Sequence, residues 1–402
     1  MNGRRGRRAA RPAAGEEIVH WPGEGGGELS ARWRSESGSL PPRRVVVADD
    51  QTKADEAYRL ACEGTALLWQ GDFQNARQLL QAMMRRADRP PKRAQRKHQA
   101  EPSPAQAFHL HRQAQSQRAR TLGMLLVPVE PGHVIPLRRA PDVGQACAEA
   151  YGSADEPYVV SLRELLGVIG AHEWRAKGVV VPALGGDRVH PHYGVFSPVR
   201  GEYLSLVAEA PLPASKALAY DIGTGTGVLA VVLARRGMER VVATDQDPRA
   251  LACARENIVR LGVTDRVEVV EADLWPPPSD SPGRATLVVC NPPWVPARPS
   301  SPLEHAVYDP DSRMLRAFLD GLARQLAPGG EGWLILSDLA EHLGLRTRAE
   351  LLAAFEAGGL EVAGRLDARP EHPRVSDSGD RLHAARAAEV TSLWRLVRAI
   401  TA

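Results

Sequence analysis

Apolar runs and amphipathic stretches alternate along the second half of the chain. Four runs rich in apolar residues lie at 217–222, 240–244, 266–272 and 285–290. Such runs predict buried parallel strands, because a strand in a sheet that is covered on both faces is apolar at most positions. Amphipathic helices are predicted between and after these strands, at 228–235, 313–326 and 348–357.

Three later apolar runs complete the expected sheet, at 332–337, 360–366 and 392–399. The last run has no helical crossover before it, so we expect it to enter the sheet antiparallel. Strands that alternate with helices predict an α/β fold. The expected architecture is a Rossmann-like, seven-stranded, mostly parallel sheet with helices on both faces.

The first half of the chain has a different composition. Residues 1–50 are rich in Arg, Gly, Pro and Ser and begin with five arginines, which predicts a disordered basic tail. Residues 51–185 are expected to form a mainly helical accessory region with one short hairpin. The predicted helices lie at 54–69, 73–86, 105–120 and 143–151, and the hairpin lies at 127–137, around Pro131-Gly132.

Charge and cysteine content add little to this division. The formal net charge is only +3, but Arg85, Arg86, Arg89, Lys92, Arg93, Arg96 and Lys97 form a local basic run. This run is either a solvated linker or a salt-sensitive contact with nucleic acid. Four scattered cysteines indicate reduced thiols and a cytoplasmic protein, and no apolar run is long enough to make a membrane a partner.

The first candidate for chemistry is a glycine-rich bend between the strand at 217–222 and the following helix. It reads Asp221-Ile222-Gly223-Thr224-Gly225-Thr226-Gly227. Glycines permit positive φ and let a ligand approach the backbone, and the helix that follows begins with unpaired N–H groups. A nucleoside cofactor fits such a bend, although a dehydrogenase or a purely structural turn has a similar sequence.

Two acidic residues follow the next two strands. Asp245 lies about 20 residues after the bend, the interval at which an acid meets ribose hydroxyls in dinucleotide folds. An acidic residue in this region could instead cap the helix that begins at Pro248. We assign that role to Asp247. Asp273 ends the third strand, where its carboxylate and the Leu274 amide are placed to meet an adenine ring, unless Asp273 only stabilises a turn.

The fourth strand runs directly into Asn291-Pro292-Pro293-Trp294. Amide and aromatic amine nitrogens are poor nucleophiles, so an enzyme must hold their N–H hydrogens while the nitrogen pyramidalises. The Asn291 side-chain oxygen and the Pro292 carbonyl are two acceptors whose positions the prolines restrict. Trp294 offers an aromatic face for a planar group. A proline-rich strand exit with a core tryptophan is the structural alternative.

These residues resemble the class I S-adenosylmethionine-dependent methyltransferases, in the branch that carries an Asn-Pro-Pro-aromatic motif. That branch methylates glutamine N5 of release factors and adenine N6 or guanine N2 of nucleic acids. The resemblance covers about residues 190–400 and implies a methyltransferase domain at 186–402. It implies S-adenosylmethionine as the cofactor, and catalytic roles for Asn291, Pro292, Pro293 and Trp294. The implied cofactor-binding residues are Asp221, Gly223, Thr224, Gly225, Gly227, Asp245, Gln246, Asp273, Leu274 and Asn291.

Several alternatives remain open at this point. The aromatic position of this motif is more often Tyr or Phe. Trp294 at that position therefore leaves two candidate acceptors, a protein glutamine, which we favour, and a nucleobase in RNA or DNA. A catalytically inactive relic that binds the cofactor or RNA is the second class of function. Just upstream, Phe196 and Glu202 are pocket candidates, whereas His190 and His192 lack further ligands, so we expect no metal.

Overall fold

The computed structural model describes residues 17–23, 26–89, 102–199, 201–276, 282–299, 304, 306–370, 380 and 382–400. The chain divides into two compact units. The first comprises Met1–Arg93 and Gln117–Gly167, and the second comprises Ala94–Ser116 and Val168–Ala402. This division differs from the predicted boundaries, because residues 94–116 and 168–185 group with the second unit.

The first unit is a mixed sheet with helices. Its strands are β1 (Ile18–Pro22), β2 (Glu28–Arg34), β3 (Arg44–Ala48), β4 (Thr65–Trp69), β5 (Leu125–Val129) and β6 (Tyr158–Ser161), in the sheet order β1-β2-β6-β5-β4-β3. Its helices are α1 (Ala54–Cys62), α2 (Phe73–Ala87), α4 (Gly144–Tyr151) and the C-terminal end of α3 (Pro104–Leu122). Apolar residues from five of the strands pack together in one cluster: Val19, Val45, Ala66, Leu68, Leu126 and Val159.

Two predictions for this region are wrong. The expected disordered tail contains three strands between residues 18 and 48, and the expected helix at 54–69 ends at Cys62 and is followed by β4. All five residues of β4 are buried. A short buried apolar run fits a helix or a strand equally well, so periodicity alone does not distinguish them. The region is therefore a sheet with helices and not mainly helical.

The predicted hairpin at 127–137 is also wrong. A 3₁₀ turn, Pro131–His133, follows β5, and β5 pairs with the parallel strand β4 and the antiparallel strand β6. The Pro131-Gly132 turn is present, with Gly132 at φ +72°, but only the isolated bridge between Glu130 and Val134 closes across it. β5 therefore pairs with strands that are distant in sequence and not with the residues that directly follow it.

The second unit contains the predicted α/β sheet. Its strands are β9 (Leu218–Ile222), β10 (Arg240–Asp245), β11 (Val267–Glu271), β12 (Ala285–Cys290), β13 (Leu326–Ser337), β14 (Leu360–Ala368) and β15 (Thr391–Arg398). They follow the order β11-β10-β9-β12-β13-β15-β14, and β15 runs in the direction opposite to the other six strands. The seven-stranded, mostly parallel sheet is thus confirmed.

Helices cover both faces of this sheet. The helices in contact with its strands are α6 (Glu202–Glu209), α7 (Val228–Arg235), α8 (Pro248–Arg260), α9 (Arg313–Gln325) and α11 (Arg348–Ala357). The unit also contains most of α5 (Leu162–Lys177), together with α10 (Leu339–His342) and α12 (His383–Ala388). A small hairpin, β7 (Val179–Val180) with β8 (Arg188–Val189), precedes α6. Ala219 of β9 packs with α7 on one face, whereas Tyr220 packs with α9 on the other, as strand alternation requires. None of the helices in the described part of the chain combines the length and apolar character that crossing a bilayer requires.

Gly321 in α9 permits a close contact that fixes the loop after β11. Trp275 of that loop stacks on Phe318, with ring centroids 5.6 Å apart, and a Cβ on Gly321 would lie 2.2 Å from the Trp275 indole nitrogen. We expect Gly321→Ala to destabilise the protein by about 1–3 kcal/mol through overpacking, measured as a loss of thermal stability. Gly170→Ala in α5, where a Cβ meets no atom within 4 Å, is the matched control and is expected to cause no loss.

Candidate active site

The glycine bend lies at the topological switch point of the sheet. The chain moves outward from β9 to β10 and β11 and then returns to β12 on the other side of β9. Ligands of open α/β sheets bind beside such a point, at the carboxyl ends of the strands. The bend follows β9 and the Asn291–Trp294 turn follows β12, so both candidate motifs lie at this position.

The three glycines of the bend all adopt positive φ. Gly223, Gly225 and Gly227 have φ of +72°, +55° and +81°, which strains any other residue. A Cβ on Gly223 would lie 2.8 Å from the Met314 side chain and one on Gly227 3.2 Å from Ala254, whereas a Cβ on Gly225 would meet no atom within 4 Å. The bend is therefore packed at both ends and open in the middle.

The Asp221 side chain is hydrogen-bonded to the bend and to the helix that follows it. It is fully buried, and its Oδ2 accepts hydrogen bonds from the Thr224 hydroxyl at 2.6 Å and the Ala230 amide at 3.0 Å. Its Oδ1 is buried and has no hydrogen-bond partner in the described part of the chain. Burial raises the pKa of Asp221 to about 6. One oxygen therefore has a structural role, and the other is left with unused hydrogen-bonding capacity.

Glu202, at the start of α6, resembles Asp221 in one respect. Its Oε1 is also buried without a hydrogen-bond partner among the described residues. Burial raises the pKa of Tyr203, and the carboxylates of Asp221 and Glu202 add to that effect. Two incompletely paired carboxylates thus lie close enough to act on one phenol. This half of the site is suited to a cationic group.

Asp245 connects the end of β10 to the glycine bend. Its Oδ2 accepts from the Gly225 amide and its Oδ1 from the Asp247 amide, both at 3.0 Å. Burial raises its pKa. Asp247 caps α8 by accepting from the Arg249 amide, so the predicted assignment of the cap to Asp247 is confirmed. Gln246, between them, is exposed.

The Asp273 and Leu274 pair is less constrained. Asp273 is exposed and lies 3.7 Å from the Arg313 guanidinium. Leu274 has φ of +73°, which is strained for a leucine, and its carbonyl accepts from the Thr244 hydroxyl at 2.7 Å. Thr244 belongs to β10, so this bond ties the loop after β11 to the neighbouring strand. The adenine-binding role of this pair stays a prediction.

The Asn291–Trp294 turn begins directly beside the glycine bend. Cys290, the last residue of β12, pairs in parallel register with Ile222, the last residue of β9, so Asn291 and Gly223 are the first residues after two adjacent strands. The indole N–H of Trp294 donates to Asn291 Oδ1 at 2.8 Å. An amide oxygen has two lone pairs, so this bond occupies one and orients the other. Trp294 thus positions Asn291, a role that the sequence did not reveal.

Asp309 is a residue of this edge that sequence reasoning missed. It is buried, its amide donates to the Val295 carbonyl, and its carboxylate accepts from the Met314 and Leu315 amides at the start of α9. Burial raises its pKa. An acid a few residues before a predicted helix is a capping signal and was available in the sequence. Asp311 and Ser312, which follow Pro310, have φ of +58° and +52°, so the loop is held in a strained conformation.

The first part of α3 packs beside this loop within the second unit. Phe108 is buried in a cluster with Val295, Leu343 and Leu382, and Trp294 packs against the same cluster. The Arg112 guanidinium lies 3.9 Å from the Tyr308 ring centroid. A cavity of about 370 Å³ opens here, lined by Phe108, His109, Arg112, Pro296, Ala297, Arg298, Pro310 and Asp311.

The segment before α6 has contacts of its own. His190 Nδ1 is 2.6 Å from the Arg175 carbonyl, and His192 Nε2 is 2.8 Å from the Glu256 carboxylate. No group of three or more potential metal ligands occurs among the described residues. Phe196 is half-buried. Of the basic run at 85–97, residues 90–97 lie outside the described part of the chain.

Comparison with known proteins identifies the family. The methyltransferase small domain matches residues 187–356. The tRNA1(Val) (adenine(37)-N6)-methyltransferase of Shewanella loihica is 30% identical over 42% of this chain and 69% of its own length. The chain belongs to the methyltransferase small-domain family. It is therefore placed among the S-adenosylmethionine-dependent methyltransferases and not among the dehydrogenases.

Other relatives match shorter parts of their own length. The release factor glutamine methyltransferase of Cereibacter sphaeroides is 36% identical over 44% of this chain and 62% of its own. The ribosomal protein L11 methyltransferase of Pelotomaculum thermopropionicum is 40% identical over 36% of this chain and 39% of its own. The chain thus spans less than two thirds of these two relatives. A ribosomal protein L11 methylase structure from Lactobacillus delbrueckii matches with a TM-score of 0.36 and 16% identity, over 54% of this chain and 87% of its own.

Proposed function

We propose that this protein transfers a methyl group from S-adenosylmethionine to the nitrogen of a planar NH₂ group, and that its acceptor is a protein glutamine. The observation that carries the proposal is the parallel register of β9 and β12, which sets Asn291 beside Gly223. A cofactor-binding bend and a pair of amide-holding acceptors are thereby adjacent. Positioning of this kind supplies much of the rate of a group transfer.

The residues of the bend fit the cofactor. S-adenosylmethionine carries a sulfonium and an α-ammonium group, and when bound it supplies an activated methyl group. Asp221 Oδ1 and Glu202 Oε1 are buried and have no hydrogen-bond partner among the described residues, so a cationic ligand would compensate both. Gly225, where a side chain would meet no atom, allows close approach to the backbone. Asp245, at the end of β10, would accept from the ribose hydroxyls.

The acceptor side needs no strong base. Asn291 Oδ1 and the Pro292 carbonyl would hold the two N–H hydrogens of the acceptor, which leaves its nitrogen lone pair free to form the new N–C bond. The bond between the methyl carbon and sulfur breaks in the same step, and neutral S-adenosylhomocysteine is the leaving group. The Trp294 indole N–H keeps the Asn291 amide in the orientation that this requires. The methylated nitrogen then loses its extra proton to solvent.

A nucleobase is the second candidate acceptor. The relative from Shewanella loihica is named as a tRNA adenine N6-methyltransferase, and adenine N6 presents the same planar NH₂ as glutamine. The lean towards glutamine rests on a loose similarity of residues 302–316 to release-factor enzymes and on the Cereibacter relative. Part of that segment, at 302, 303 and 305, lies outside the described residues.

Two experiments test the proposal. Calorimetry should show binding of S-adenosylmethionine and none of NAD, and a preference for NAD would contradict it. Lysate from cells that lack the protein should then be labelled with methyl-tritiated donor and treated with nuclease or protease. We expect the label to survive nuclease and to be released by protease; the opposite result would identify a nucleic-acid acceptor, and no label despite binding would indicate a relic.

Cofactor affinity should depend on pH through Asp221. The folded pKa of about 6 lies above the ordinary value of 3.8, so below about pH 6 the cofactor-free protein holds this proton. Stability from the group is fully present below pH 3.8 and is lost as pH rises through 6, by about 3 kcal/mol. A cationic ligand prefers the ionised carboxylate. The Kd for S-adenosylmethionine should therefore fall roughly tenfold per pH unit up to about pH 6 and then level off.

Isothermal titration between pH 4.5 and 8 measures this dependence. Asp245, whose pKa burial also raises, adds a contribution of the same sign. Asp221→Asn is the control, since its amide oxygen still accepts from Thr224 and Ala230 while the charge is gone. The variant should bind more weakly and with much less pH dependence. A wild-type Kd that is constant across this range would show that no cation meets Asp221.

A further inference from the structure

Arg346 presents an unpaired guanidinium edge on the acceptor side of the sheet. It lies between α10 and Thr347, the N-cap of α11, and the residue as a whole is half-buried. Its Nε and Nη2 atoms are buried and have no hydrogen-bond partner in the described part of the chain. Burial lowers the pKa of Arg346. A charged group in this condition is costly to the fold unless something pairs with it.

The two unpaired nitrogens lie on the same edge of the guanidinium. Nε–H and Nη2–H point in parallel from the same side of the planar guanidinium, which is the edge that binds a carboxylate in bidentate fashion. The acids that act electrostatically on Arg346 include Asp309, Glu341 and Glu350. Each is already engaged: Asp309 by the amides of α9, Glu341 by Arg348, and Glu350 by Thr347.

Arg346 lies on the same edge of the sheet as the acceptor motif. β12 and β13 are parallel neighbours, so the residues that follow Ser337 emerge beside those that follow Cys290. Leu345, the residue before Arg346, packs in the cluster that contains Val295 and against which Trp294 also packs. Asp309, which acts on Arg346, is hydrogen-bonded to Val295. An anion at Arg346 would therefore be bound next to the acceptor loop.

We propose that Arg346 determines acceptor specificity by binding one carboxylate of the acceptor polypeptide, on an acidic residue close in sequence to the methylated glutamine. This inference rests on the proposed function. A single enclosed fork matches a single carboxylate.

Synthetic peptides test this inference. Each contains one central glutamine, and Glu occupies one of the flanking positions from −3 to +3; matched peptides carry Gln or Lys there, and single-stranded RNA oligonucleotides form a further set. With methyl-tritiated donor, we expect at least one acidic peptide to have a kcat/KM at least tenfold above its neutral match. The difference should lie in KM, because the carboxylate does not touch the reacting nitrogen.

Variants assign the preference to the residue. Arg346→Met, an apolar replacement of similar length, should bring the ratio of acidic to neutral peptides close to one while the Kd for S-adenosylmethionine is unchanged. Arg346→Lys should keep part of the ratio, since it retains a charge without the fork. Arg348→Met is the matched control, because Arg348 is paired with Glu341, and it should leave the ratio intact.

The outcomes separate the two proposals. Equal rates for acidic and neutral peptides, or an unchanged ratio in Arg346→Met, would overturn the role of Arg346 and leave the methyltransferase proposal standing. Preferential methylation of RNA would overturn the peptide acceptor. Binding of S-adenosylmethionine without transfer to any peptide or RNA would contradict the proposed function itself. Thermal melting checks folding: Arg346→Met should melt at or above the wild-type temperature, because an unpaired buried charge is removed.

Discussion

Replacing Asn291 by alanine is expected to lower kcat by roughly a hundredfold or more while the Kd for S-adenosylmethionine changes by less than about twofold. The Asn291 side chain is assigned to the acceptor, so its loss releases the NH₂ group without touching the glycine bend. Single-turnover methyl transfer measures the rate, and calorimetry measures the affinity. A large rise in Kd with a normal rate at saturation would instead assign Asn291 to the cofactor.

Trp294→Phe is the sharper companion to this variant. It keeps an aromatic ring and removes the indole N–H that donates to Asn291 Oδ1. Loss of one neutral hydrogen bond should lower kcat by roughly three- to tenfold. If Trp294 serves only as a stacking surface, Trp294→Phe will be nearly as active as the wild type, and the positioning role will be excluded.

Replacing Asp245 by alanine is expected to weaken S-adenosylmethionine binding by about 1.5–3 kcal/mol, or roughly 10- to 150-fold in Kd. The variant loses the acceptor proposed for the ribose. It also loses the bond that holds the Gly225 amide, so the bend itself becomes less ordered. Calorimetry at pH 7.5, above the window in which Asp221 titrates, measures the change without interference from that group.

Asp247→Ala provides the matched control for Asp245. The two acids are two residues apart, but the Asp247 side chain accepts from the Arg249 amide and caps α8, whereas Asp245 accepts from the Gly225 amide of the bend. Its loss should cost about 0.5–2 kcal/mol of stability and leave cofactor affinity nearly unchanged. Unchanged affinity in Asp245→Ala, or a large loss of affinity in Asp247→Ala, would reverse the assignment of these two residues.

The second unit could be predicted from the sequence because its elements are long and strongly patterned. β12 and α11 have the predicted bounds, and β9 and β10 differ from them by one residue. Apolar strands covered on both faces leave a pattern that local periodicity detects. The first unit lacks this pattern, since its strands are short and pair with partners far away in sequence. β2, for example, pairs with β6 across more than a hundred residues.

The site could be predicted in its outline but not in its detail. The residue types and spacing placed Asp245 and Asn291 at strand ends on the same edge of the sheet, where β10 and β12 lie on either side of β9. The direction in which each side chain points could not be predicted. Neither the bond from Trp294 to Asn291 nor the unpaired oxygens of Asp221 and Glu202 leaves a trace in the sequence. Each depends on rotamers that only packing selects.

The assignment of Phe108 to the second unit has a consequence for biosynthesis. Its cluster partners Val295, Leu343 and Leu382 leave the ribosome much later. At 5–20 residues per second, Phe108 waits roughly 10–40 s for even the first of them. During this interval an aromatic side chain stays exposed on the nascent chain. Slowing translation would lengthen the period in which the chain is prone to aggregate.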